Sequence, residues 1–186
     1  MNESDNTPTL ACSYRKLWIR DLEILLDHYK RLDRDARHLR FGGFVPDSFI
    51  DGYARQALRL SGTVIGCFID GKLRGAGELQ PIVDTWPIEA EAAFTVEQPF
   101  RGKGIGSELM RRLILTAQNR AIKTIYTICA QENMRMRRLA QKYKAELKIE
   151  HSEVAATLRT PLPTYGSLME EWAGNAGGLL HAVLSR

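Results

Sequence analysis

The sequence has little of what marks a metal, redox or membrane protein. Its three cysteines, Cys12, Cys67 and Cys129, are odd in number and far apart. That spacing excludes a zinc ribbon and a disulfide framework, and it fits a reducing compartment. The four histidines, His28, His38, His151 and His181, form no cluster, so no metal is expected. There is no apolar run of about 18 residues, and hence no candidate transmembrane helix. The first residues, Met1-Asn-Glu-Ser-Asp-Asn-Thr-Pro8, are polar and acidic. They are unlike a secretory leader, and the expected location is cytoplasmic. Internal repeats and low-complexity tracts are also missing.

What remains is ordinary for a folded domain: 44% hydrophobic and 26% charged residues in a chain of 186. That length suits one domain with a sizeable core, read here as residues 12–186 after a loose tail over 1–11. The net charge of +4 suits an anionic ligand such as a nucleotide. With neither a zinc finger nor interleaved basic and aromatic residues, nucleic acid is not the expected partner.

Along the chain, Tyr14–Ile19 reads as a first strand, followed by helical stretches over Asp21–Arg31 and Asp33–Phe41. Gly42-Gly43 and Pro46 interrupt them. A further helix spans Ser48–Leu60, with Asp47 or Ser48 as its cap. The β-branched run Thr63–Ile69, the turn Asp70-Gly71 and the return Lys72–Val83 make a hairpin. Glu89–Val96 is the next strand. Gly104–Arg120 is a helix with Ile105, Leu109, Leu113 and Ala117 on one side, widened by Met110 and Ile114. Thr124–Cys129 is a short strand, and Asn133–Lys142 a helix with Met136, Leu139, Ala140 and Tyr143 on one face. Glu146–Ile149 and Val154–Arg159 are strands, and a last helix starts near Ser167. The step from Glu89 to Cys129 through a helix implies a parallel pair with a right-handed crossover. The fold class is therefore α/β (α+β) with a mixed sheet.

The informative segment is Phe94-Thr-Val-Glu-Gln-Pro-Phe-Arg101-Gly-Lys-Gly-Ile-Gly106. It joins a strand to a helix and is rich in glycine and positive charge. Glycine tolerates positive φ and lets a backbone approach a ligand closely. The following helix start offers unpaired N–H groups and a positive dipole end, so the whole is an anion cradle. It is not a P-loop, which needs four residues between its glycines and then Lys-Ser/Thr. It is not the dinucleotide fingerprint either, because Gly102, Gly104 and Gly106 have the wrong spacing and no strand-end acid follows.

Arg101-x-x-Gly104-x-Gly106 resembles the Arg/Gln-x-x-Gly-x-Gly/Ala signature of the GNAT N-acetyltransferases, with Val96 and Pro99 where that family has its strand end and splayed loop. The likeness covers about residues 63 to 150. It implies a GNAT fold: a mostly antiparallel sheet of six to seven strands flanked by helices, with a splayed parallel pair. It also implies acetyl-coenzyme A as co-substrate, with no metal. By the same resemblance the cofactor-binding set is Phe94, Val96, Arg101, Gly102, Lys103, Gly104, Ile105, Gly106, Ser107 and Asn133. Amides from Arg101 to Gly106 would hold the pyrophosphate. Backbone groups of Phe94 and Val96 would hold the pantetheine arm and thioester carbonyl. A single N–H donor to an oxyanion is worth on the order of 3 kcal/mol. Asn133 is also a natural helix N-cap, and the two roles are compatible.

Acetylating an amine requires a base, most often a carboxylate. Alternation puts Glu89 and Glu91 on one face with Ala93 and Thr95. Two glutamates in one strand go against β-propensity. Glu91 lies deeper and is the expected base, with Glu78 on the neighbouring strand as the alternative. A carboxylate in an apolar cleft would be raised toward neutrality, as the role requires. Ala90-Glu91-Ala92-Ala93, Asn133-x-x-Met136, Leu139-Ala140 and His38-Leu-Arg-Phe41 are similar to the GNAT domain of bacterial protein-lysine acetyltransferases. That likeness implies the same role for Glu91.

The chain departs from the family in one respect. The family's usual Tyr, seven residues after this Asn, is here Ala140, so no acid for the thiolate is assigned. Tyr143 reads as core. His38 stands beside Arg40 and Phe41, where it could face the acceptor. Arg135, Arg137, Arg138 and Lys142 read as a solvated helix side that could also meet the 3′-phosphate of coenzyme A. The expected reaction is direct transfer to a primary amine, on a protein lysine or a small molecule. The alternative is an acyl-coenzyme A sensor without catalysis. A homodimer is left open.

Overall fold

A computed structural model of the chain describes residues 11–59 and 62–184. Apart from Ala11, the expected tail lies outside the described residues, as does the helix end expected at Leu60. Seven strands form one sheet in the order β1-β2-β3-β4-β5-β7-β6. They are β1 Cys12–Leu17, β2 Thr63–Ile69, β3 Lys72–Pro81, β4 Glu89–Val96, β5 Thr124–Ala130, β6 Glu146–Glu150 and β7 Glu153–Arg159. The helices are α1 Leu22–Arg31, α2 Arg34–Phe41, α3 Asp47–Arg59, α4 Ile105–Asn119, α5 Met134–Lys142 and α6 Tyr165–Leu184. Every neighbouring strand pair is antiparallel except β4–β5.

The first strand ends two residues earlier than its pattern suggests. The Asp21 carboxylate accepts the Trp18 N–H at 2.9 Å and N–H groups from both terminal guanidinium nitrogens of Arg15. These bonds stabilise a 3-10 turn over Ile19–Asp21. Asp70 and Gly71 both take positive φ, 51° and 71°, the mirror-image turn that matches strand twist. β3 stops pairing at Pro81, which has no N–H to give the ladder.

Period-two alternation divides the core. Val64 and Phe68 of β2, with Ala76 of β3, pack against Leu25, Tyr29, Ile50 and Ala54 of α1 and α3. Ile65, Cys67, Leu79, Ala90 and Ala92 pack on the other face, against Ile105, Leu109 and Leu113 of α4. Leu109 and Leu113 are fully buried, each contributing on the order of 1.5–3 kcal/mol relative to exposure. β2 is buried along its whole length, which explains its near-continuous apolar run. No described helix is long and apolar enough to cross a membrane.

Candidate active site

The β4–β5 ladder has only three pairs, from Glu89 with Thr124 to Glu91 with Tyr126. β5 then stays with β7 as far as Ala130, while β4 stays with β3 as far as Val96. The two strands therefore diverge after Glu91. The Glu97 N–H bonds the Arg74 carbonyl of β3 at 3.0 Å. Since backbone groups alternate sides along a strand, the N–H groups of Phe94 and Val96 face the open edge. A cavity of about 590 Å³ fills this wedge. Its walls include Glu91, Ala93, Phe94, Thr95 and Val96 of β4, Thr127, Ile128 and Cys129 of β5, and Ala36, Leu39 and Arg40 of α2.

The glycine loop forms one end of the cavity. After a 3-10 turn over Gln98–Phe100, Gly102 and Gly104 take φ of 77° and 82°. A Cβ on either would meet nothing within 4 Å. The torsion therefore requires glycine there, and the space above the loop is open. Among the described residues, the N–H groups of Gly102, Lys103, Gly104, Ile105, Gly106 and Ser107 donate to no acceptor, and α4 begins there. Six free donors at a positive helix end form an anion nest. The exposed Lys103 ammonium sits over the Phe100 ring at 5.5 Å.

Arg101 differs from the loop residues that follow it. Its N–H is committed to the Gln98 carbonyl. Arg101 lines the cavity, and its guanidinium donates to the Val96 carbonyl at 3.0 Å and pairs with Asp33. The free donors thus begin at Gly102. Asn133 caps α5, its Oδ1 accepting the Met136 N–H at 3.1 Å, and also lines the cavity. Ser107 lines it too and accepts a bond from Lys142. Arg135, Arg138 and Lys142 give the wall a positive charge, while Arg137 turns to the Gln131 carbonyl. The Tyr143 hydroxyl donates to the Ser107 carbonyl at 2.6 Å, tying α5 to α4. Its expected core role fits this bond.

The two glutamates of β4 have different surroundings. Glu89 accepts a hydrogen bond from the Tyr126 hydroxyl at 2.8 Å. Glu91 lines the cavity at its last paired position and is exposed, not enclosed. It makes no hydrogen bond or ion pair among the described residues. Glu78 is 1% exposed; its oxygens accept from Tyr29 at 2.9 Å, Tyr53 at 2.6 Å and Arg40 at 2.9 Å. It clamps three helices to β3 and is absent from the cavity wall. His38 is exposed and also outside the wall.

One constellation gives no signal in the sequence. His28 of α1 is fully buried. Its Nδ1 lies 3.2 Å from Glu97 Oε1, and its Nε2 lies 2.9 Å from the Thr95 hydroxyl. Arg31 and Arg74 donate to Glu97 at 2.9 and 2.8 Å. Although burial raises Glu97, bonds from His28, Arg74 and Arg31 hold it down at about 2. Burial pushes the His28 imidazole below its ordinary value. These partners lie 66 to 69 positions apart, except Arg74 at 23, so no local motif could reveal them.

The family model for the GNAT acetyltransferases matches residues 23–144, well over half of the chain. The chain belongs to the GNAT acetyltransferase family. Among solved structures, it is similar to the GNAT domain of S. lividans PAT, with a TM-score of 0.69 and 19% identity over 78% of this chain and 89% of that one. It is also similar to the PaiA N-acetyltransferase of Thermoplasma acidophilum in complex with coenzyme A (TM-score 0.60, 18% identity, 81% and 99% covered). A third likeness is yncA of Salmonella typhimurium with acetyl-CoA (0.63, 15%, 83% and 95%). No curated protein matches the sequence. These likenesses show the GNAT fold, and the splay after Glu91 lies inside the matched region. Among the described residues no group of His, Cys, Asp and Glu is arranged to hold a metal ion.

Proposed function

We propose that the protein transfers the acetyl group of acetyl-coenzyme A to a primary amine, on a protein lysine or a small molecule, by direct attack on the thioester. One observation carries the reading. A single cavity joins five residues with free amide donors at a helix start, the edge of β4 that β5 leaves and an unengaged carboxylate. A pyrophosphate fits the first, an extended amide-bearing arm the second, and a proton acceptor the third. The neighbours that carry coenzyme A or acetyl-CoA support the choice of donor.

In this reading, the Gly102–Ser107 amides hold the pyrophosphate, with Lys103 and the α5 cations nearby for phosphate charge. The Phe94 backbone groups and the Val96 N–H hold the pantetheine arm, the Val96 carbonyl being engaged by Arg101. Glu91, on the wall that continues into α2, removes a proton from the incoming ammonium. Its open position lets the acceptor reach it.

Calorimetry with acetyl-coenzyme A against NAD and ATP tests the donor, and binding of acetyl-coenzyme A alone is expected. For Glu91→Gln we expect unchanged donor binding and a loss of about tenfold or more in kcat, consistent with general-base catalysis. Full turnover in that variant excludes Glu91 as base. Ala140, in place of the family's Tyr, gives weight to a non-catalytic sensor. Wild-type protein that binds the donor yet releases no thiol with a panel of amines and lysine peptides would establish that second reading.

A further inference from the structure

The Thr95–His28–Glu97 chain is more than a clamp between α1 and β4, because one end of it opens on the cavity. Glu97 is ionised, so it can only accept, and the proton between it and His28 sits on Nδ1. The buried imidazole is neutral, which leaves Nε2 bare. At 2.9 Å, the Thr95 hydroxyl must then donate to Nε2, which leaves its lone pairs free to accept; Thr95 is 5% exposed and lines the cavity. A hydroxyl backed by an imidazole that is itself oriented by a carboxylate is the arrangement that moves protons in nucleophilic catalysis. Thr95 is one residue from Phe94, whose free amide lies where the thioester carbonyl is assigned.

We propose that Thr95 passes the proton released by the attacking nitrogen to the departing sulfur, with His28 and Glu97 behind it as the reservoir. This rests on the acetyl-transfer reading above. As the amine nitrogen bonds to the thioester carbon, its proton moves to Thr95 Oγ1 and the hydroxyl proton moves to His28 Nε2. Glu97 stabilises the imidazolium. As the C–S bond breaks and its electron pair leaves on sulfur, the path reverses: Nε2 returns its proton to Oγ1, and Oγ1 gives its proton to sulfur. One proton has gone from nitrogen to sulfur, and all three residues end as they began. Burial keeps the imidazolium short-lived, which favours the return step. The chain thereby supplies the acid missing at Ala140, while Glu91 handles the first proton of the ammonium.

The test compares wild type, Thr95→Val and Thr95→Ser. It measures thiol release from acetyl-coenzyme A, calorimetric binding of coenzyme A, and the ¹⁵N shifts of the His28 ring. For Thr95→Val, coenzyme A binding and the KM for acetyl-coenzyme A should stay within about twofold, and kcat should fall about tenfold or more. Thr95→Ser should recover most of kcat. The Nε2 resonance should be that of a bare, hydrogen-bonded nitrogen in wild type and should move in Thr95→Val. A kcat within about twofold of wild type in Thr95→Val overturns the proposal; so do equal losses in the Val and Ser variants. In either case an active wild type leaves the acetyl-transfer reading standing. A wild type that binds coenzyme A but releases no thiol overturns that reading and this proposal together.

Discussion

The two faces of β3 and β4 are built on opposite physical plans. Toward α4 the sheet presents Gly75, Gly77, Leu79 and Ala92, and a Cβ at Gly77 would lie 3.3 Å from both Leu109 and Leu113. That face is apolar and close-packed, with backbone and helix in near contact. Toward α1–α3 it presents two buried carboxylates, Glu78 and Glu97, each held by several donors. Dispersion on the first face is spread over many contacts, so it fixes a platform for the glycine loop. Directional bonds on the second face connect helices one at a time. The cavity opens on this second face, through Glu91, Ala93 and Thr95. Tight packing holds the glycine loop, and the polar face carries the cavity wall.

The comparison breaks most sharply at Glu78. Glu78→Ala leaves the Arg40 guanidinium, whose side chain is 13% exposed, without its counter-charge, and strands two tyrosine hydroxyls. We expect a loss of about 3–5 kcal/mol in urea denaturation, the cost of breaking a buried pair. On the opposite face, Gly77→Ala forces Leu109 and Leu113 to give way and should cost about 1–3 kcal/mol. If Gly77→Ala proves the more damaging, the apolar face is the less tolerant of the two and the contrast is reversed.

Much of the apolar plan was legible in the sequence and little of the polar one was. The α4 stripe, the Asp70-Gly71 turn and the Glu89–Val96 strand all follow local rules of period or turn chemistry, and the structure has them at those positions. The glycine loop was legible for the same reason: its positive-φ residues and free amides are consecutive backbone groups. The partners of Arg101, Asp33 and the Val96 carbonyl, were not legible, because they reach it only through the fold. His28 looked like an unclustered histidine because Thr95 and Glu97 reach it only once α1 lies across β4. Cavity residues contributed by α2, such as Leu39, also depend on that docking.

A graded effect of pH should separate the faces further. His28 sits below its unfolded value of 6.5, and Glu97 below 4.5 at about 2. The groups facing His28 are Thr95 from β4 and Glu97 just after it, Tyr29 and Arg31 from α1, and the Leu73–Arg74 stretch of β3. In both cases the unfolded chain binds a proton that the folded chain refuses, so stability rises with pH through each window. The His28 contribution is complete above about pH 6.5 and is lost as pH falls toward its depressed folded value. The Glu97 contribution is lost between about 4.5 and 2. Urea midpoints measured from pH 7 to 4 should fall for wild type, and His28→Asn should remove the upper part of that slope. An equal slope in His28→Asn would assign the acid sensitivity to other groups.

The smallest expected effect lies where α2 meets the glycine loop. Asp33 Oδ1 accepts the Ala36 N–H at 2.9 Å as the α2 cap, while Oδ2 pairs with Arg101. Burial works against its carboxylate, but the Ala36 amide and Arg101 hold it below the ordinary range. Asp33→Ala removes both interactions and should cost about 1 kcal/mol, mostly the cap. Asp33→Asn keeps a capping oxygen and loses only a partly exposed ion pair, so about 0.5 kcal/mol or less is expected. If Asn costs as much as Ala, the ion pair is what holds α2 to the loop. The Arg101 side chain would then be the physical link between the glycine-loop end of the cavity and its α2 wall.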